Sequence, residues 1–118
     1  MYKVIPTKHF GDNVEYYIKK KRFIHIEEDI KIVVNELEQG NLIGDEIPNL
    51  KTSTDGHTFK VRTINTDTKG GKSNGYRIIY YAIREDLKIY LLTIYYKKDD
   101  KKIPTTKELV GLIEKYCL

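Results

Sequence analysis

The chain has 118 residues, 40% of them hydrophobic and 32% charged, which suits a single folded domain over 1–118 with a modest core. No apolar run approaches the roughly 18 residues of a membrane span, the opening MYKVIPTKHF lacks a signal-peptide core, and Cys117 has no second cysteine to pair with, so a cytoplasmic location is expected and no membrane. The net charge of +4 is uneven: residues 1–58 carry 8 Lys/Arg against 10 Asp/Glu, residues 59–102 carry 11 against 5, and the last sixteen carry 2 of each.

After a β-like start at Tyr2 to Ile5, apolar residues recur at Phe10, Val14, Tyr17 and Ile18, then at Ile26, Ile30, Val33, Val34 and Leu37. Both sets have the spacing of a helix with one buried face. Glu27, Glu28 and Asp29 crowd the first turn of the second helix, where the dipole favours negative charge, and Gly40-Asn41 supplies a stop. A helical hairpin is predicted.

From Leu50 the pattern is that of strands. Asp55-Gly56-His57 carries a hairpin-type turn signal, and FKVRTI (59–64) alternates, with Phe59, Val61 and Thr63 on one face and Lys60, Arg62 and Ile64 on the other. NTDTKGGKSNG (65–75) reads as a loop. YRIIYYAI (76–83) and LKIYLLTIYY (87–96) are aromatic and β-branched runs joined through Arg84-Glu85-Asp86, and their near-continuous apolarity predicts central strands covered by helices. After KKDDKKI, Pro104 suits the first turn of a closing helix, Thr105 and Glu108 have capping-box spacing, and Leu109, Leu112, Ile113 and Tyr116 form its apolar stripe. The expected fold class is α+β: an N-terminal helical hairpin packed on a twisted, mostly antiparallel sheet of about four strands, with a C-terminal helix.

On that framework the basic residues converge. Lys60 and Arg62 share a strand face, Lys69 and Lys72 sit on the glycine-rich loop, Arg77 opens the next strand, and Lys97 and Lys98 close the strand after it. In an antiparallel meander the start of one strand lies beside the end of the next, so Arg77 and Lys97/Lys98 should share one edge of the sheet. Such a cluster points to an anionic partner, phosphate first, although an ordinary solvated basic face has the same composition. His9, His25 and His57 are scattered, and no spacing resembles a metal site. Most of the strand tyrosines are core candidates; Tyr95 and Tyr96, next to the cations, are candidates for stacking on RNA bases.

The segment SNGYRIIYYAIREDLKIYLLTIYYKKDD (73–100) resembles the signature of RelE/ParE-superfamily toxins and is closest to their HigB and phage branch. It carries a glycine-rich basic loop, then Gly-x-Arg-Ile-Ile-Tyr-Tyr, then Leu-Leu-x-Ile-Tyr-x-Lys. The likeness extends upstream through FKVR (59–62), the stretch 42–47 and a Thr-x-x-Phe at 7–10. The resemblance implies the toxin of a type II toxin–antitoxin pair, which cuts messenger RNA on the ribosome without metal or organic cofactor and is held in check by a cognate antitoxin. The implied chemistry is attack of a 2′-hydroxyl on the adjacent phosphate, leaving a 2′,3′-cyclic phosphate and a 5′-hydroxyl. By position, Lys60 and Arg62 match the family's basic pair, Arg77 the arginine on the scissile phosphate, and Lys97 and Lys98 the cluster after the last strand. Lys60 as base needs its neutral amine, and Arg62 would stabilise charge. The run after Tyr96 lacks the tyrosine or histidine that RelE-like members place downstream, so the acid and base stay unassigned, with Tyr95 and Tyr96 as substitutes. The alternatives are a ParE-like toxin that binds gyrase, which the dense cations argue against, and a non-catalytic RNA-binding domain.

Overall fold

The computed structural model describes residues 1–48, 50, 52 and 55–117. Strand β1 (Lys3–Pro6) leads into helices α1 (Lys8–Lys21) and α2 (Ile26–Glu38). Strands β2 (Asp45–Glu46), β3 (His57–Thr63), β4 (Tyr76–Ile83) and β5 (Lys88–Tyr96) follow, and helix α3 (Thr106–Tyr116) closes the chain. The fold is α+β, with one mixed sheet in the order β1-β5-β4-β3-β2. Neighbours run antiparallel except β1, which lies parallel to β5. Five strands stand where about four are predicted, because β2 has two residues and leaves no periodic trace in the sequence.

Side-chain alternation along β4 divides the core. Tyr76, Ile78, Tyr80 and Ala82 pack with Phe10, Tyr17, Ile26 and Leu37 of the α1–α2 hairpin. Ile79 and Tyr81 pack with Leu109 and Ile113 of α3. The hairpin and α3 therefore cover opposite faces, giving three layers where a single helical layer on the sheet is predicted. This is why β4 is buried along almost its whole length. Each fully buried Ile or Leu contributes about 1.5–3 kcal/mol from burial alone.

Local chemistry sets the element ends. The Thr7 hydroxyl accepts the Phe10 N–H at 3.2 Å and donates to the Leu91 carbonyl at 2.8 Å, joining the start of α1 to β5. Arg22, at φ 61°, ends α1, and Gly40, at φ 90°, follows α2. The capping box at Thr105 and Glu108 is present, but Pro104 lies one residue before the cap, outside the first turn. Asp55-Gly56 does not form the tight hairpin turn that its sequence signals: Glu46 pairs with Phe59, so a longer connection joins β2 to β3.

One irregularity governs the site. Tyr80 pairs with Leu91 but Ile79 pairs with Thr93, leaving Leu92 as an extra residue on β5. This β-bulge shifts everything after it by one position. Tyr95, and not Ile94, thereby comes to oppose Arg77.

Candidate functional site: a cationic sheet face

Arg62 on β3 pairs with Arg77 on β4, which pairs with Tyr95 on β5. Directly opposed residues of antiparallel strands share a face, so the three form a row across the sheet on the α3 side. Lys60, two residues before Arg62, belongs to the same face and pairs with Ile79. The alternation of β3 holds: Phe59, Val61 and Thr63 are buried, whereas Lys60 and Arg62 are exposed. Helix α3 packs over Ile79, Tyr81 and Tyr95 and leaves both cations of β3 uncovered.

Arg77 sits differently from its neighbours. It is only 6% exposed, and its guanidinium donates to the carbonyls of Lys72 at 3.1 Å, Ser73 at 3.1 Å and Tyr76 at 3.3 Å. Of its five N–H donors, two therefore hold the backbone of the preceding loop and a third the first carbonyl of β4. Burial, and after it the Arg62 guanidinium, lowers its pKa from the ordinary arginine value, yet an arginine stays charged at any physiological pH. Arg62 is the guanidinium free to meet a ligand head on.

The loop at 65–75 is pinned at several points. Asn65 and Gly70 exchange backbone hydrogen bonds, each at 3.0 Å. Asp29, 1% exposed, accepts from the backbone N–H and the hydroxyl of Thr66. Asp67 accepts from the His25 N–H at 2.9 Å and contacts the His25 ring at 2.8 Å. Burial opposes ionisation of Asp67, but the side-chain and backbone hydrogen bonds from His25 outweigh it and hold the carboxyl below its usual range. The hydrogen bond to Asp67 raises His25 in turn. These three anchors, Asp29, His25 and Asp67, are what the sequence reading missed. Asp29 reads there only as a helix-dipole complement, and nothing in the spacing of His25 and Asp67 marks them as a pair.

The predicted residues fall into three groups. Lys60, Arg62, Arg77 and Tyr95 share the face. Lys72 and Lys97 are tied to its end through their backbones: the Lys72 carbonyl accepts from Arg77, and the Lys97 N–H donates to the Gly75 carbonyl at 2.9 Å. Lys98 follows, exposed, in the turn after β5. The start of β4 and the end of β5 thus lie side by side. Lys69, at φ 58°, stands on the turn anchored to α2, and among the described residues no ion pair ties its side chain to the face. Tyr96 points the other way, packing edge-on against Phe23 at 5.4 Å. Tyr95 is 5% exposed, which leaves little ring for base stacking. Burial raises its phenol above the ordinary value, against a smaller opposing effect of Arg77.

Asp45 of β2 lies opposite Lys60, yet no ion pair within 4.0 Å neutralises the face among the described residues. The ion pairs among the described residues are Lys8–Asp12, Lys19–Glu15, His25–Asp67 and His57–Glu46, and none includes Lys60, Arg62, Lys72, Arg77, Lys97 or Lys98. Also among the described residues, no group of three or more His, Cys, Asp or Glu side chains is arranged to hold a metal ion, and no helix is long and apolar enough to cross a membrane. A groove of about 610 Å³ between α1 and α2 has an apolar floor of Val4, Phe10, Val14, Ile30 and Val34, with Glu15, Lys19 and Glu27 also in its lining.

No family model matches the chain, and no curated protein matches it. The class of site therefore rests on geometry: an uncovered, unpaired cationic sheet face beside an anchored glycine-rich loop.

Proposed function

We propose that this protein is an endoribonuclease of the RelE/HigB type, the toxin of a toxin–antitoxin pair acting on ribosome-bound messenger RNA. The observation that carries the reading is the pair Lys60 and Arg62, exposed on one face of β3 and in no ion pair among the described residues, beside the buried Arg77 and Tyr95 of the same cross-strand row. The resemblance of residues 73–100 to that family supplies the substrate and the antitoxin partner.

The chemistry needs few parts. The 2′-hydroxyl gives its proton to a base, in this reading the neutral amine of Lys60, its oxygen bonds to phosphorus, the bond from phosphorus to the 5′-oxygen breaks, and that oxygen takes up a proton from Tyr95 or water. Negative charge accumulates on the non-bridging oxygens, where fixed cations help most. Arg62 offers a bidentate guanidinium, and the two N–H groups of Arg77 not spent on carbonyls add to it from below. Lys60, exposed on the same strand face, acts on the attacking oxygen in this reading. Tyr95, kept protonated by burial, acts as a donor and not as a base. Arg77 thus has a double part: it faces the phosphate and also holds the loop that bears Lys72.

The test is cleavage of a messenger on programmed ribosomes by the purified chain, with end chemistry determined. New 5′-hydroxyl ends, reduced by orders of magnitude in Lys60→Ala and Arg62→Ala, are expected. Intact message with gyrase inhibited instead would replace the reading with a ParE-like one. RNA binding without any cleavage would leave a non-catalytic binder.

A further inference from the structure

A second concavity lies where β5 runs out. Helix α1, the segment 101–104 and α3 enclose a cleft of about 480 Å³, large enough for a nucleotide. Its walls bring in Lys101, Lys102 and Lys115, with His9 and Asn13 from α1 and Glu108 from α3.

The polar groups there are nearly all donors. One oxygen of Glu108, Oε1, belongs to the capping box, accepting from the N–H and the hydroxyl of Thr105 at 3.2 and 3.1 Å. The Asn13 side-chain oxygen accepts from the Thr93 hydroxyl at 2.7 Å and from the Ile94 N–H at 3.3 Å. Because a backbone N–H can only donate, the orientation of that amide is fixed, and its NH₂ is left for the cleft. Lys102 lies over the Tyr16 ring at 4.1 Å, while Lys101 and Lys115 enter no ion pair among the described residues. The cleft thus offers ammonium groups and an oriented amide, and of its one carboxylate, Glu108, one oxygen is held by Thr105. It is also close to the cationic face along the chain: Lys97 and Lys98 follow β5 at the face, and Lys101 and Lys102 come after Asp99 and Asp100, within five residues and a reach of at most roughly 17 Å.

We infer that this cleft is a second phosphodiester subsite, which takes the RNA strand a few nucleotides away from the bond held at Arg62 and Arg77. The inference rests on the endoribonuclease reading for its ligand. The cleft supplies affinity and register, and it takes no part in the bond-breaking step.

The experiment uses fluorescence anisotropy with single-stranded 2′-O-methyl RNA, which cannot be cleaved, in lengths of about four and twelve nucleotides. Three charge-reversed variants of the full chain are compared: Lys101→Glu/Lys115→Glu at the cleft, Lys60→Glu/Arg62→Glu at the face, and Lys20→Glu/Lys31→Glu on the hairpin as a control for net charge. All six side chains belong to exposed residues, so melting temperatures should stay near that of the wild type. The cleft variant should bind the long strand at least tenfold more weakly than the control does and leave the short strand unchanged. Its slope of log K against log salt should also fall by about one, from roughly 0.7 per lost phosphate contact. Equal losses in the cleft and control variants, or equal losses for both lengths, would overturn the subsite. Loss of both lengths in the face variant with a normal cleft variant would overturn the subsite and leave the face reading intact. Loss in the cleft variant alone, with a normal face variant, would keep the subsite and overturn the face. Wild-type protein that binds neither strand would overturn both.

Discussion

Replacing Arg77 and replacing Arg62 should have different consequences, although both are arginines of one cross-strand row. Arg77→Ala removes three charge-assisted hydrogen bonds to the carbonyls of Lys72, Ser73 and Tyr76. Bonds to charged groups are each worth about 1.5–3 kcal/mol, but the Lys72 and Ser73 carbonyls lie in partly buried surroundings where water can replace the donor. A net loss of about 2–4 kcal/mol follows, enough to lower a urea midpoint by about 1–2 M. Arg62 is exposed and unpaired, so Arg62→Ala should change stability by no more than about 0.5 kcal/mol. In single-turnover cleavage both variants should fall by orders of magnitude. Arg77→Lys keeps the charge but cannot span three carbonyls, so it should recover little stability. Urea unfolding monitored by circular dichroism, run beside the cleavage assay, separates the two roles. Arg77→Ala with wild-type stability would refute the clamp, and Arg62→Ala with a comparable stability loss would refute the division of labour.

Four further outcomes follow from the anchors and the core. His25 should titrate above 6.5 in the folded protein because of Asp67, and Asp67→Asn should return it toward that value; an NMR titration showing His25 at or below 6.5 would remove the anchor. The raised His25 tightens the loop fully below about pH 6.5 and loses that effect as pH rises through its folded value. The lowered Asp67 contributes above its ordinary 3.8 and fails as pH falls through its depressed value, so loop protection in hydrogen exchange should be greatest between the two. Gly75→Ala would drive a methyl group into the Thr63 carbonyl, and a thermal melt should show a loss of about 2–4 kcal/mol, whereas a neutral result would mean that β3 and β4 part easily there. Burial pushes the Cys117 thiol up to about 12, so iodoacetamide at pH 8 should modify it only at the rate of unfolding; rapid alkylation of the native protein would place the thiol outside the α3 core.

Much of this arrangement is written in local pattern. The alternation of FKVR places Lys60 and Arg62 opposite Phe59 and Val61, and the apolar runs at 76–83 and 87–96 are the doubly covered centre of the sheet. Five features had no local signature. The bulge at Leu92 comes from long-range pairing, and it alone decides that Tyr95 shares the cationic face while Tyr96 turns to the hairpin. The clamp at Arg77 depends on where the 3-10 turn at Lys72–Asn74 folds back, which composition does not specify. The same holds for Asp29, an ordinary first-turn acid in the sequence and a buried anchor for Thr66 in the fold. Two-residue β2 and the placement of α3 on the far face are likewise matters of tertiary packing.

The central claim, that the uncovered face bearing Lys60 and Arg62 cuts translated RNA, is tested most directly by inducing the chain in a bacterial host and mapping messenger 5′ ends before and after. New 5′-hydroxyl ends inside translated reading frames, absent when Arg62→Ala is induced to the same level, are the predicted result. Growth arrest with intact messages, or the same ends persisting with Arg62→Ala, would contradict it.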